Sequence, residues 1–231
     1  MKLYNYGNFI KESKEYIDSI CEKYTIVDYT INDDGTVDVD SHVVMSESKL
    51  TKIPIKFGKV SGSVLFNNNY LTTLEGSPIS VGGYFSCQYN ELTNLEDAPR
   101  EVGGSFYCYK NKLTSLEGSP RSVGDLFNCS NNELTSLEGI SQYIGKTING
   151  QLNCENNHLR DVRGIKDGWR GEILVQRNPV YQIFQLFPKN RWSEVIEYLN
   201  EYDVIKGEEI SYQGLAMVFL DIGKIGDYKM I

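Results

Sequence analysis

From Phe85 the chain runs FSCQYNELTNLEDAPREVGG, from Phe106 FYCYKNKLTSLEGSPRSVGD, and from Phe127 FNCSNNELTSLEGI. These are three copies of one pattern at a period of 21 residues. Phe85, Phe106 and Phe127 form one column, and Cys87, Cys108 and Cys129 a second. Asn90, Asn111 and Asn132 follow, then Leu92, Leu113 and Leu134, then Leu95, Leu116 and Leu137. One period earlier stand Val64, Phe66, Asn69, Leu71 and Leu74. Before them come Val43, Met45, Leu50 and Ile53, with Ser48 in the asparagine slot. Later, after four extra residues near Lys146–Asn149, the pattern resumes as Leu152, Cys154, Asn157, Leu159 and Val162. It ends with Ile173, Val175, Asn178 and Val180. A fixed period of this length is the mark of a solenoid, in which no single coil buries its own apolar face.

The spacing L-x-L-x-x-N-x-L-x-x-L, with Phe and Cys in the first two apolar slots, is that of a leucine-rich repeat. The expected architecture is an α/β repeat, about seven coils of 21 residues carrying a parallel sheet. In a short strand alternation turns Phe106 and Cys108 inward and Tyr107 outward. The asparagine side chain can bond backbone groups of neighbouring coils. Pro78, Pro99 and Pro120 forbid regular helix on the return limb, which is expected to be extended or 3₁₀. Val81-Gly82-Gly83 and Val102-Gly103-Gly104 are expected to bend the chain back to the next strand.

The flanks read as caps, giving three regions: 1–38, 39–180 and 181–231. Phe9, Tyr16, Ile17, Ile20 and Cys21 have helical spacing over Phe9–Tyr24. YTIVDYTINDDGTVDVD, from Tyr24 to Asp40, reads as a β-hairpin, with Ile26, Asp28 and Thr30 against Val37 and Val39. Helices are expected at Val180–Phe187 and Trp192–Tyr202, divided by Pro188, and at Leu215–Ile222. They would cover the last coil and its sheet edge.

The run INDDGTVDVD, then KLTKIPIKFGKVSGSV, then the repeated LTSLEGSP and NNxLTSLEG resembles leucine-rich-repeat proteins encoded by tailed bacteriophages. The C-terminal NEYDVIKGEEI and FLDIGK resemble the end segment of that group, so the likeness runs from about Tyr24 to Lys224. Ser77 and Ser119 stand where that group often has a cysteine before proline. The resemblance implies a solenoid made inside a bacterial host. It brings no catalytic residues, since such scaffolds serve many partners.

The chain has 231 residues, 23 Lys+Arg against 31 Asp+Glu and a net charge of -8. That charge is a poor match for nucleic acid. Thr51–Arg170 is balanced, so the negative excess lies in the flanks. No run of apolar residues is long enough for a membrane helix or a signal peptide, and the reading is of a cytoplasmic protein with no membrane partner. Five cysteines fit reduced thiols.

Cys87, Cys108, Cys129 and Cys154 would form a line of buried thiols along neighbouring strands. A zinc site needs ligands converging on one point. Glu75, Glu96, Glu117 and Glu138 form an acidic column expected to be solvated, with Arg100 and Arg121 near enough to compensate. The column lacks the dense Asp and Gly of a calcium ladder. His42 and His158 fall on different coils, and His158 is expected to be exposed. No nucleophile elbow, zinc-protease motif or phosphate loop occurs. The sequence therefore reads as non-enzymatic, with no metal or cofactor.

The candidate partner-binding residues lie on the concave face, at outward strand positions and just after the inward cysteine. They are Tyr84, Gln88, Tyr89, Tyr107, Tyr109, Lys110, Asn128, Ser130, Asn131, Asn153, Glu155 and Asn156. Tyrosine combines large contact area with a polar tip and little rotamer entropy, as binding surfaces require. The expected function is protein binding, directed at a host or antiviral-defence protein. Two other readings stay open: a sink for a nucleotide-like small molecule held between tyrosine rings and Lys110, and a structural part of the virion. The sequence leaves the oligomeric state undetermined.

Overall fold

The computed structural model describes residues 6–141, 143–144, 150–165, 171–202, 204–206 and 209–224. The chain winds as a β-solenoid whose coils each carry two short strands, stacked into two sheets. The first sheet holds the Phe column. Its seven strands are Val43–Val44, Val64–Leu65, Phe85–Ser86, Phe106–Tyr107, Leu126–Asn128, Gln151–Asn153 and Glu172–Leu174, all parallel and each one coil from the next. Seven strands bound six turns. Phe127 pairs with Leu152 in the same register as Phe106 with Phe127. The expected continuity of the sheet past the insertion therefore holds, while the insertion at Lys146–Asn149 lies outside the described residues.

The second sheet is the main departure from expectation. The return limbs are extended, as foreseen, but they also pair. Val37–Val39, Phe57–Val60, Ser80–Val81, Glu101–Val102, Ser122–Val123 and Tyr143–Ile144 stack in parallel, and Tyr29–Ile31 adds antiparallel at the N-terminal edge. Val60, Val81, Val102 and Val123 of this sheet and Val64, Phe85, Phe106 and Phe127 of the first are all buried in one core. The glycines after these valines work by close approach. A Cβ on Gly103 would lie 2.2 Å from the Gly82 carbonyl oxygen, and one on Gly124 1.9 Å from that of Gly103. Glycine is thus required because coils touch backbone to backbone.

The core is a set of columns. Phe66, Phe85, Phe106 and Phe127 are fully buried with successive ring centroids 5.2–5.8 Å apart. Cys87, Cys108, Cys129 and Cys154 are buried and unlinked. The Sγ of Cys108 donates to the Asn128 carbonyl at 3.4 Å, and that of Cys154 to the Leu174 carbonyl at 3.2 Å. Desolvation raises the Cys129 thiol to about 12 and pushes those of Cys87, Cys108 and Cys154 up as well.

One asparagine side chain locks each coil to the one before. Its Nδ2 donates to the carbonyl three residues back and to a carbonyl of the preceding coil, while its Oδ1 accepts a leucine N–H of that preceding coil. For Asn132 these partners are Cys129 O at 3.0 Å, Cys108 O at 3.1 Å and Leu113 N at 3.1 Å. The same three bonds recur, at 2.8–3.1 Å, for Asn69, Asn90, Asn111, Asn157 and Asn178.

The flanks agree in outline. Helix α1, Tyr6–Lys23, buries Ile17 and Cys21. Tyr16 is exposed instead, its hydroxyl donating to the Pro54 carbonyl at 3.3 Å. The N-terminal hairpin pairs Tyr29–Ile31 with Val37–Val39, so Ile26 and Asp28 precede it. At the other end come α2 (Tyr181–Phe184), a 3₁₀ turn (Lys189–Arg191), α3 (Trp192–Glu201) and α4 (Tyr212–Lys224). Trp192 packs on Phe184 at 4.9 Å and donates Nε1 to the Phe184 and Phe187 carbonyls. A short hairpin, Ile205–Lys206 with Glu209–Ile210, was not foreseen.

Two outcomes follow. Asn132→Asp, isosteric but lacking the donor, is expected to destabilise the fold by about 3 kcal/mol or more, and no less than Asn132→Ala. Both leave buried groups of two coils unpaired, and urea melts measure the difference. All five thiols should react with a thiol reagent after denaturation without reductant, while the four ladder thiols stay unreactive in the native chain at pH 8. Because folding raises these thiol pKa values, stability is fully present below about pH 9 and lost as pH rises above it. The loss is more than about 1 kcal/mol per pH unit for each ladder thiol, and denaturant melts between pH 8 and 11 check the sign.

Candidate functional site

The outer face of the first sheet is built by register. Ser86, Tyr107, Asn128, Asn153 and Leu174 pair in sequence along one outward row. Tyr84 stands two residues before this row, immediately ahead of Phe85. Gln88, Tyr109, Ser130 and Glu155 follow it, just after the inward cysteines. Beyond them the chain must turn inward to place the ladder asparagine, and it does so through a left-handed residue. Asn68, Tyr89, Lys110, Asn131, Asn156 and Arg177 take φ of 53–58° at that slot.

This arrangement brings the four candidate tyrosines together. Tyr84 packs against Tyr107 at 6.3 Å, Tyr107 against Tyr109 at 6.5 Å, and Tyr109 against Tyr89 at 5.6 Å, all edge to face. Lys110 completes the group: its Nζ donates to the Tyr89 hydroxyl at 3.0 Å and stands 4.6 Å from that ring's centroid. Donating this hydrogen bond to the phenol oxygen raises the lysine's pKa, so it stays charged. Tyr84 and Tyr89 are each 42% exposed, whereas Tyr107 and Tyr109 are half-buried. The central rings are less exposed because each is covered on two sides by its neighbours.

The next coils are polar and internally bonded. Asn128 Oδ1 accepts from the Ser130 N–H at 3.1 Å and the Ser130 hydroxyl at 2.8 Å. Asn131 donates to the Ser130 hydroxyl, and Asn156 donates to Asn131 at 2.8 Å. Asn153 accepts from the Glu155 N–H at 3.0 Å. Ser130, counted among the outward residues, is 5% exposed and belongs to the framework under Asn128 and Asn131. Gln88 is half-buried and accepts from Ser86 at 2.6 Å. Asn67 joins this face and was missed, while Ser86, 3% exposed, lies beneath it and donates to both Asn67 and Gln88.

A charged row borders the face just past the ladder asparagines. Glu91 and Lys112 form an exposed ion pair there, with Glu133 next in line. His158 is exposed on the same row, while His42 lies at the other end and accepts the Ser63 N–H on Nδ1 at 2.9 Å. The structure does not bring the two histidines together. Among the described residues no three His, Cys, Asp or Glu side chains converge as a metal site needs. Glu75, Glu96, Glu117 and Glu138 are solvated; the column's ion pair joins Glu75 to Lys56 at 3.9 Å. No helix of the described residues is long and apolar enough to cross a membrane.

The face offers aromatic area, amides and one central cation. Edge-to-face rings at 73°, 89° and 73° leave no parallel slot in which a base could be sandwiched. A cleft of about 600 Å³ lies elsewhere, lined by Glu172, Lys189, Trp192, Glu194 and Glu197.

Half-burial of the central rings sets an expected outcome. Tyr107→Ala with Tyr109→Ala removes three ring pairs worth roughly 0.5–1.5 kcal/mol each, part of it retained by collapse of the neighbours. The double variant should lose about 1–3 kcal/mol in a urea melt and remain folded, because the Phe, Cys and Leu columns are untouched. Family models, curated proteins and solved structures gave no match to this chain, so the face is read from its own chemistry.

Proposed function

We propose that this chain is a solenoid of the leucine-rich-repeat type that binds a protein partner through the tyrosine and amide face of its first sheet. Its purpose, on this reading, is to hold or block a host or antiviral-defence protein inside a bacterium infected by a tailed phage. The observation that carries the reading is the joined set of Tyr84, Tyr107, Tyr109 and Tyr89 with Lys110 on one outer face. Rigid aromatic side chains with polar tips, ringed by amides that already hold fixed geometry, give contact area at small entropic cost. The setting in a phage rests on the repeat and end segments that resemble such proteins. The columns that stabilise the fold lie on the opposite side of the strands from this face, so the surface can be specialised without disturbing the stack.

The test is affinity capture from lysate of phage-infected bacteria, with quantitative mass spectrometry. One protein should be enriched by the native chain and reduced at least tenfold by Tyr84→Ser with Tyr89→Ser, variants of the two exposed rings. A partner bound equally by both chains would move the site off this face. Finding the chain itself at fixed copy number in purified particles would favour a virion component instead.

A further inference from the structure

The left-handed slot before each ladder asparagine is a place where side-chain identity has a backbone consequence. Asparagine enters this conformation readily, whereas long or aromatic residues do so at a cost. Three of the coils fill the slot with Asn68, Asn131 and Asn156, while Glu47 and Arg177 fill it on the first and last coils, at the ends of the stack. Tyr89 and Lys110 occupy it on adjacent coils, at φ 55° and 53°, and those two side chains bond each other. Residues held against backbone preference tend to gather where a surface does work.

Charge narrows what the work is. Lys112, two residues from Lys110, is neutralised by Glu91, and Lys56 pairs with Glu75. Among the described residues no carboxylate pairs with Lys110, whose hydrogen-bond partner is the neutral phenol of Tyr89. The cation stands on the exposed ring of Tyr89, at one end of a chain of rings that runs through half-buried Tyr109 and Tyr107 to exposed Tyr84. An anionic group reaching this point meets an ammonium and a phenol hydroxyl together, and any apolar neighbour meets aromatic faces. The strip from Tyr84 to Lys110 runs across adjacent coils about 4.8 Å apart, which suits an extended chain.

Resting on the protein-binding reading, we infer that Tyr89 and Lys110 form the anchor of the face, and that it takes an extended segment of a partner protein with a carboxylate side chain flanked by apolar residues. The left-handed slot at these two positions then exchanges some stability for recognition.

The inference is tested by panning a randomised peptide library on the full-length chain and measuring the selected peptides against Lys110→Asn and Tyr89→Asn. Each substitution installs the residue that other coils carry in the same slot. Selected peptides should share an Asp or Glu next to an apolar residue, and should bind each variant at least tenfold more weakly. The melting temperature of each variant should stay level or rise by about 2–4 °C. Peptides that bind this face without a carboxylate, or that bind the variants equally, would overturn the anchor while leaving protein binding in place. A library that yields no binder would overturn both. A fall in melting temperature would show that the two side chains support the fold, and would overturn the exchange of stability for recognition.

Discussion

The stacking of each coil on the one before depends on one asparagine side chain facing three backbone groups, in most coils in a space closed to water. Asn90, Asn132, Asn157 and Asn178 are all buried, and each holds two carbonyls and one N–H from two coils. Without that side chain the inward turn would bury unpaired polar groups at every level. The ladder therefore sets how coils stack, because each asparagine must meet the carbonyls of the coil before it, and it does so even across the longer coil between Asn132 and Asn157. It also sets the left-handed residue that precedes it, and through that residue the position of Tyr89 and Lys110 on the surface. A feature of the core thus decides the geometry of the outer face.

The inner columns and the outer face are separated by the alternation of a two- or three-residue strand. Phe106 and Cys108 go inward and Tyr107 outward, and the pairing of Phe85, Phe106, Phe127 and Leu152 keeps that parity through the insertion. Residues outside the ladder and the columns are then free to differ between coils. The aromatic coils and the amide coils differ in this way, sharing one framework and presenting different chemistry.

The columns of Phe, Cys, Asn and Leu were legible in the sequence because each coil repeats the same inward residue at the same step. The second sheet was not, since Ser80–Val81, Glu101–Val102 and Ser122–Val123 are too short to show alternation. Their pairing comes from the stacking of coils and not from local preference. The hairpin at Ile205–Lys206 and Glu209–Ile210 escaped notice for the same reason. At the candidate face the sequence located the tyrosines, but it missed that Tyr107 and Tyr109 shield one another and that Ser130 lies beneath its neighbours. Such burial depends on side chains one coil away. The left-handed slot did leave a signal, the Asn-Asn pairs at Asn68-Asn69, Asn131-Asn132 and Asn156-Asn157, which are natural where a turn residue precedes a ladder residue.

Hydrogen exchange of the asparagine side-chain amides, followed by NMR, reaches the ladder directly. The Nδ2 protons of Asn90, Asn132, Asn157 and Asn178 should exchange only as fast as the whole chain unfolds, with the same denaturant dependence as the amide protons of Leu71, Leu113, Leu134 and Leu159. Side-chain amide protons that exchange within seconds under native conditions would contradict an account in which these asparagines hold the coils together.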